Sequence, residues 1–269
     1  MKKIIKYINF LFFSIRNPKN GLEVLNGHIQ VKQNNNKILT TNVELKSKEE
    51  IFNEFFPSSD ILRNYKKEII ELENKLESKY SEIKSKPFPS KDKPYDIEYA
   101  VNNQLAILYY IICRETKPKI VIETGVAYGQ SSSFILYAMK KNEFGKLFSI
   151  DYIFSPWQTK EKIGYLIPTE LRDRWKLEFG TSSKKLKNLL NEIHEIDIFI
   201  HDSLHTYQNM KYEFNTVWPH IKKNGFLISD DVSENSAFME FCEEKKLNPY
   251  FLNFEKNNSK FYGGIVQKI

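Results

Sequence analysis

Five short apolar runs organise the second half of the chain: KIVIE at 119–123, KLFSID at 146–151, WKLEF at 175–179, IDIFIH at 196–201 and GFLISD at 225–230. Stretches with helical spacing separate them, among them SSSFILYAMKK at 131–141, and IEYAVNNQLAILYYIICRE at 97–115 precedes the first. Strands that alternate with helices require right-handed crossovers, and repeating that unit builds a parallel sheet with helices on both faces. The predicted class is therefore α/β, doubly wound and mostly parallel. The last two β-like runs, PYFLNF and KFYGGIVQKI, are joined only by EKNNS. That joint is too short for a crossover and predicts an antiparallel hairpin.

Residues 96–269 are expected to form this domain, and residues 1–95 a mainly helical extension. The boundary falls in KPFPSKDKPYD at 86–96, whose three prolines stop a helix. Upstream, 47–85 reads as a charged helix with Leu62, Tyr65, Ile69, Leu72 and Leu76 along one stripe. Between 21 and 45, HIQV and KILTT flank the turn-forming NNN and predict a small hairpin. The opening MKKIIKYINFLFFSIR is a poor secretion signal, because Lys6 and Asn9 interrupt its apolar run. As a helix it places Ile4, Ile8, Leu11, Phe12 and Ile15 on one face. That face suits a peripheral membrane contact through residues 1–16, docking on the chain's own core, or a homo-oligomer contact.

With 41% hydrophobic and 28% charged residues, the composition argues against wholesale disorder and against a membrane-spanning protein. The net charge of +6 is spread over helices that also carry glutamates, and no nucleic-acid module is visible, so no nucleic-acid partner is expected. Cys113 and Cys242 lie far apart without a C-x-x-C pair. Buried free thiols in a cytoplasmic protein, at most peripheral to the inner face of a membrane, are the expectation.

In an open parallel sheet, ligands bind beyond the carboxyl ends of the strands. The first run ends in Glu123-Thr-Gly125-Val-Ala-Tyr-Gly129-Gln-Ser131, where glycines allow a sharp turn and the next helix offers unpaired N–H groups. A tight strand-to-helix turn explains these glycines without any ligand; an acidic residue, Asp151, at the end of the next run strengthens the ligand reading, since it can accept hydrogen bonds from a ribose. A dinucleotide fingerprint would need G-x-G-x-x-G. Here Ala127 and Gln130 stand in for the later glycines, and Glu123 would repel a pyrophosphate. S-adenosylmethionine, which carries an ammonium and a sulfonium and no phosphate, fits better than a nicotinamide dinucleotide.

Asp202 follows the fourth run, and Asp230 and Asp231 end the fifth. Adjacent parallel strands would bring three carboxylates together, so that either their pKa values rise or a cation joins them. Hard oxygen ligands suit Mg²⁺ or another divalent cation. Asp231 has a competing role as a helix cap, and His205 as a backbone hydrogen-bonding residue of its loop.

ETGVAYGQSS, FSIDY, FGTSSKKL, IDIFIHDSLHTY and KKNGFLISDDV together resemble a class I S-adenosylmethionine-dependent methyltransferase. More narrowly, they are similar to the metal-dependent sugar O-methyltransferases related to macrocin O-methyltransferase and cephalosporin hydroxylase-like proteins. The resemblance implies a Rossmann-like, seven-stranded sheet. It places Glu123, Gly125 and Gly129, with Ser131 in the same turn, around the methionine part of the cofactor, Asp151 on the ribose and Tyr152 against the adenine. Gly180-Thr181-Ser182 departs from the family's usual Gly-Asp-Ser, leaving Ser182 as the adenine contact of that loop. It further implies a divalent metal on Asp202, Asp230 and Asp231, and His205 as the base. The acceptor would be a small molecule, a sugar or a glycosylated compound. A catalytically silent binding protein of the same fold and a hydroxylase-like relative are the alternative readings. His201 is expected to be structural, and His194 and His220 solvated. Trp157 and Tyr165, in the long aromatic connection 152–175, are candidates to stack on a sugar, and the connection itself reads as a lid or an inserted packing segment.

Overall fold

In the computed structural model, the structure describes residues 14–15, 18–34, 43–56, 60–97, 103–256 and 259–269. Helices α1 (Pro18–Asn34), α2 (Lys48–Phe55) and α3 (Ile61–Lys84) form the amino-terminal part, with the two-residue strand β1 (Leu45–Lys46) between the first two. Helix α4 (Asn103–Thr116) then leads into β2 (Ile120–Thr124), α5 (Gln130–Asn142), β3 (Lys146–Asp151) and β4 (Trp175–Phe179). After these come α6 (Ser182–Ile193), β5 (Ile196–His201), α7 (Tyr207–Val217), β6 (Ile221–Ser229), α8 (Ala237–Lys245), β7 (Tyr250–Lys256) and β8 (Ser259–Gln267).

The strands make one sheet in the order β1-β7-β8-β6-β5-β2-β3-β4. The five from β6 to β4 are mutually parallel, and β8 runs antiparallel to both β6 and β7. The doubly wound α/β fold with its terminal hairpin is thus present, and β1 adds an eighth strand beside β7. From β2 the chain winds outward through β3 and β4, and then returns to β5 on the other side of β2. That reversal opens a crevice between the carboxyl ends of β2 and β5.

Alternate residues of the buried strands serve opposite faces, as the twofold period of a strand requires. Val121, Ile198, Ile200, Phe226 and Ile228 face a core shared with α3, α4 and α5. Ile122, Phe199 and Leu227 face a second core shared with α6, α7 and α8. The stripe foreseen on α3 is real: Ile69, Leu72 and Leu76 are buried in the first of these cores, together with Ile61 and Ile83. The amino-terminal segment therefore packs as part of the main core. Its charged stretch is two helices rather than one, and α2 opens with a capping box in which Ser47 and Glu50 satisfy each other's backbone donors.

The hairpin expected around HIQV is not formed. Those residues lie inside α1, where Val24 is buried and Gly27 faces Leu204. Helical packing against the loop before α7 overrides the weak alternation. KILTT and residues 1–13, with the proposed membrane-binding face, lie outside the described residues.

Candidate active site

The β2–α5 turn is built from three residues with positive φ, Gly125 (86°), Ala127 (46°) and Gly129 (85°). Gly125 cannot be replaced without displacement, because a Cβ there would lie 1.8 Å from the Asp202 carbonyl oxygen. Its N–H donates to the Ile150 carbonyl at 2.9 Å, and the Asp202 N–H donates to the Thr124 carbonyl at 2.8 Å. The turn is thereby fastened to the ends of β3 and β5 at once. Asp151 braces it from below: one carboxylate oxygen accepts from the N–H groups of Val126 (3.1 Å) and Ala127 (2.9 Å), and the other from that of Tyr152 (2.6 Å). Burial raises the Asp151 carboxyl to about 6, against the opposing effect of those three donors.

Glu123 takes a different place from the one expected. It is fully buried behind the cavity wall, and its carboxylate accepts from Ser149 (2.6 Å), Ser131 (3.2 Å) and Ser132. Burial pushes its carboxyl up to about 7 although all three serines favour the charged form. In this arrangement Glu123 ties β2, β3 and the first turn of α5 together.

Asp202, His205, Asp230 and Asp231 do converge. His205 Nε2 lies 3.7 Å from an Asp202 oxygen, and its Nδ1 lies 3.8 Å from an Asp231 oxygen. Asp230 is anchored through its N–H to the His201 carbonyl (2.9 Å), and its carboxylate accepts the Asp231 N–H at 2.8 Å. Asp231 has φ of 47°. Burial, followed by the charges of Asp230 and Asp231, holds the Asp202 carboxyl well above the ordinary range. Burial and then the neighbouring His201 lower the His205 imidazole to about 3, which leaves it neutral and, as it stands, a weak base. Three carboxylates on neighbouring strand ends suit a hard divalent cation in donor chemistry. As they stand, no group of three or more His, Cys, Asp or Glu side chains among the described residues is arranged to hold one.

Two buried polar residues beside this arrangement were not foreseen. Glu213, fully buried on α7, accepts from Thr124 (2.6 Å), Ser203 (2.8 Å) and Asn209 (3.1 Å), and lies 2.7 Å from His201 Nδ1. Burial alone would raise its carboxyl, but the charge and hydrogen bond of His201, with the hydrogen bonds of Ser182 and Thr124, hold it down to about 2. It thus joins β2, β5 and the loop carrying His205, and gives His201 the structural role expected of it. The signal was available: Met210, Glu213, Phe214 and Val217 form the buried face of α7, and a lone glutamate in such a stripe needs partners. The second is Tyr109 on α4. Its buried hydroxyl has no hydrogen-bond partner among the described residues, and burial followed by the charges of Asp230 and Asp202 raises it far above the usual phenol range.

A cavity of about 610 Å³ runs along these strand ends. Gly125, Gly129, Ser131, Asp151, Tyr152 and Ser182 line one part, and Asp202 and His205 another. Asp230 and Asp231 stand behind that wall, outside the lining. Trp157 lines the cavity, with its indole N–H on the Pro94 carbonyl at 3.1 Å. Tyr165 does not: its hydroxyl reaches Glu82 at 3.0 Å, and its segment packs on the turn, with Gly164 and Leu166 donating to the Ala127 and Tyr128 carbonyls at 2.9 and 2.8 Å. The second half of the 152–175 connection is therefore a packing insert, and only the first half faces the cavity. His220 donates to the His194 carbonyl at 2.7 Å, remote from the site. Both cysteines are buried free thiols.

Residues 122–232 match a family model described as a methyltransferase domain. No curated protein matches the chain. Among solved structures, the O-methyltransferase TomG of Streptomyces achromogenes, involved in tomaymycin synthesis and bound to S-adenosylmethionine, is similar at 12% identity and a TM-score of 0.53, over 64% of this chain and 82% of that one. An O-methyltransferase from Bacillus cereus bound to S-adenosylhomocysteine aligns at 12% identity and a TM-score of 0.51, over 81% and 96%. The Podospora anserina methyltransferase PaMTH1 aligns at 13% and 0.51, over 86% and 100%. The chain thus shares the Rossmann-like fold of these proteins, and its residues 122–232 are similar to a methyltransferase domain.

Proposed function

We propose that the chain is an S-adenosylmethionine-dependent, divalent-metal-dependent O-methyltransferase acting on a hydroxyl of a sugar or a glycosylated small molecule. The observation that carries this reading is the continuity of one cavity from the Gly125–Ser131 turn, Asp151 and Ser182 to Asp202 and His205. The residues suited to the methyl donor and a neutral imidazole line the same cavity.

Bound S-adenosylmethionine supplies a methyl group made electrophilic by its sulfonium. Asp151 retains acceptor capacity for ribose hydroxyls beyond its three backbone donors, Tyr152 offers a ring face to the adenine, and Ser182 a hydroxyl. A divalent cation on Asp202, Asp230 and Asp231 would require the last two side chains to turn toward the cavity, and would there supply a Lewis acid that lowers the pKa of the reacting hydroxyl. His205 would take that hydroxyl's proton as the oxygen bonds to the methyl carbon and the methyl–sulfur bond breaks, releasing S-adenosylhomocysteine, with Asp231 3.8 Å from the imidazole.

The proposal places the protein in the cytoplasm without a nucleic-acid partner, with residues 1–16 available for membrane contact or self-association. No helix among the described residues is long and apolar enough to cross a membrane. The test is transfer of labelled methyl from S-adenosylmethionine to a panel of glycosides, with and without EDTA. Transfer abolished by EDTA and restored by Mg²⁺ is expected. Transfer indifferent to EDTA would remove the metal, and no transfer to any glycoside would remove the sugar.

A further inference from the structure

Helix α1 lies outside the segment that matches a methyltransferase domain, yet Glu23, Asn26, Gly27 and Gln30 make it part of the cavity wall. Contacts fix it at both ends of that stretch. Toward its carboxyl end, Thr206 donates to Gln30 at 2.8 Å and Gln208 donates to Gln33 at 3.3 Å. Toward its amino end, Val24 is buried, and Glu23 forms an ion pair with Lys184 in the first turn of α6. Glu23 is thereby held beside Ser182, two residues before its partner in the chain. It also neighbours Tyr152: burial and then the Glu23 charge raise the Tyr152 hydroxyl above its ordinary range.

Tyr152 and Ser182 are the residues assigned above to the adenine. Glu23 lines the cavity and Lys184 does not, and their side chains are 18% and 57% exposed, so the carboxylate forms the inner side of the pair. The ammonium meets Oε1, and a carboxylate accepts hydrogen bonds on both oxygens. The loop before α6 brings hydroxyls but no carboxylate. Those of Thr181 and Ser183 lie 3.0 Å apart, and Ser182 donates to Asn209 at 3.2 Å. Apart from Asp151, assigned to the ribose, the charged acceptor among the described residues at this end of the cavity comes from α1.

We infer that Glu23 recognises the exocyclic amino group of the cofactor's adenine, so that α1 completes the cofactor site and makes it selective for adenine over a 6-oxopurine. The inference rests on the proposed S-adenosylmethionine reading and extends it to a residue of the amino-terminal part. A carboxylate facing an amino group gains a charge-assisted hydrogen bond. Facing an oxo group it meets a second acceptor, and both are left unsatisfied.

Titration calorimetry of the full chain with S-adenosylhomocysteine and with S-inosylhomocysteine, the same compound with an oxo group in place of the amino group, tests it. The wild type should bind the inosine compound about tenfold more weakly or worse. Glu23→Gln keeps the size of the side chain and can present either an oxygen or an NH₂ group, so the two affinities should come within about threefold of each other. Equal binding of the two compounds by the wild type would overturn the inference and leave the cofactor reading in place. A gap undiminished in Glu23→Gln, or both compounds lost alike in that variant, would do the same and assign Glu23 to the ion pair alone. Failure of the wild type to bind S-adenosylhomocysteine would remove the cofactor reading and the inference with it.

Discussion

His205 stands between Asp202 and Asp231 at 3.7 and 3.8 Å, and its imidazole is kept neutral by burial. Replacing it with alanine should lower methyl transfer by about 10²- to 10⁴-fold. Calorimetric affinity for S-adenosylmethionine should stay within about threefold, because the ring is assigned to proton transfer and not to holding the cofactor. A surviving rate would remove His205 as base. Glu123 makes a separate prediction through pH. Its folded carboxyl sits at about 7 against an ordinary 4.5, so its proton is held more tightly in the folded state. The stability it contributes is complete below about 4.5 and is lost as pH rises through 7. The loss is about 3 kcal/mol. Denaturant unfolding at pH 5 and pH 8 should show that this share of the decline disappears in Glu123→Gln. An unchanged decline would mean that the carboxyl is not raised.

At the scale of elements, the turn after β2 is the most constrained piece. Gly125→Ala combines a φ of 86° with a Cβ placed 1.8 Å from a backbone oxygen. It should cost more than about 3 kcal/mol in denaturant unfolding, and a near-neutral variant would show that the turn and the β5 loop are not in contact. In α3, Leu72 is fully buried in the core shared with α4 and the sheet. Leu72→Ala should destabilise the chain by about 2–5 kcal/mol, whereas an α3 that merely rests on the surface would lose well under that.

These elements also mark how far the sequence could be read. The central strands were legible because buried parallel strands appear as apolar runs bounded by turn residues. Gly125, Asp151 and Asp202 followed from the rule that strand ends carry the site, and His205 from the family resemblance. Helix α1 was misread because HIQV alternates weakly, and its helical state is settled by contacts with Leu204, Thr206 and the first turn of α7, far away in sequence. Glu123 was placed on the cavity because its position along the strand is right. Which way its side chain turns depends on three serines drawn from two other elements. Tyr165 was equally invisible, since a loop aromatic can face either a ligand or its own core.

At the scale of the molecule, a parallel sheet reverses its winding at β2 and β5, and the reversal gathers the site. The amino-terminal helices complete it: α3 thickens the core and α1 walls the cavity. The central claim is that this cavity holds S-adenosylmethionine, and titration calorimetry of the full chain tests it most directly. The account predicts roughly micromolar binding, weakened at least about tenfold by Asp151→Ala. No binding by the wild type, with or without Mg²⁺, would contradict it.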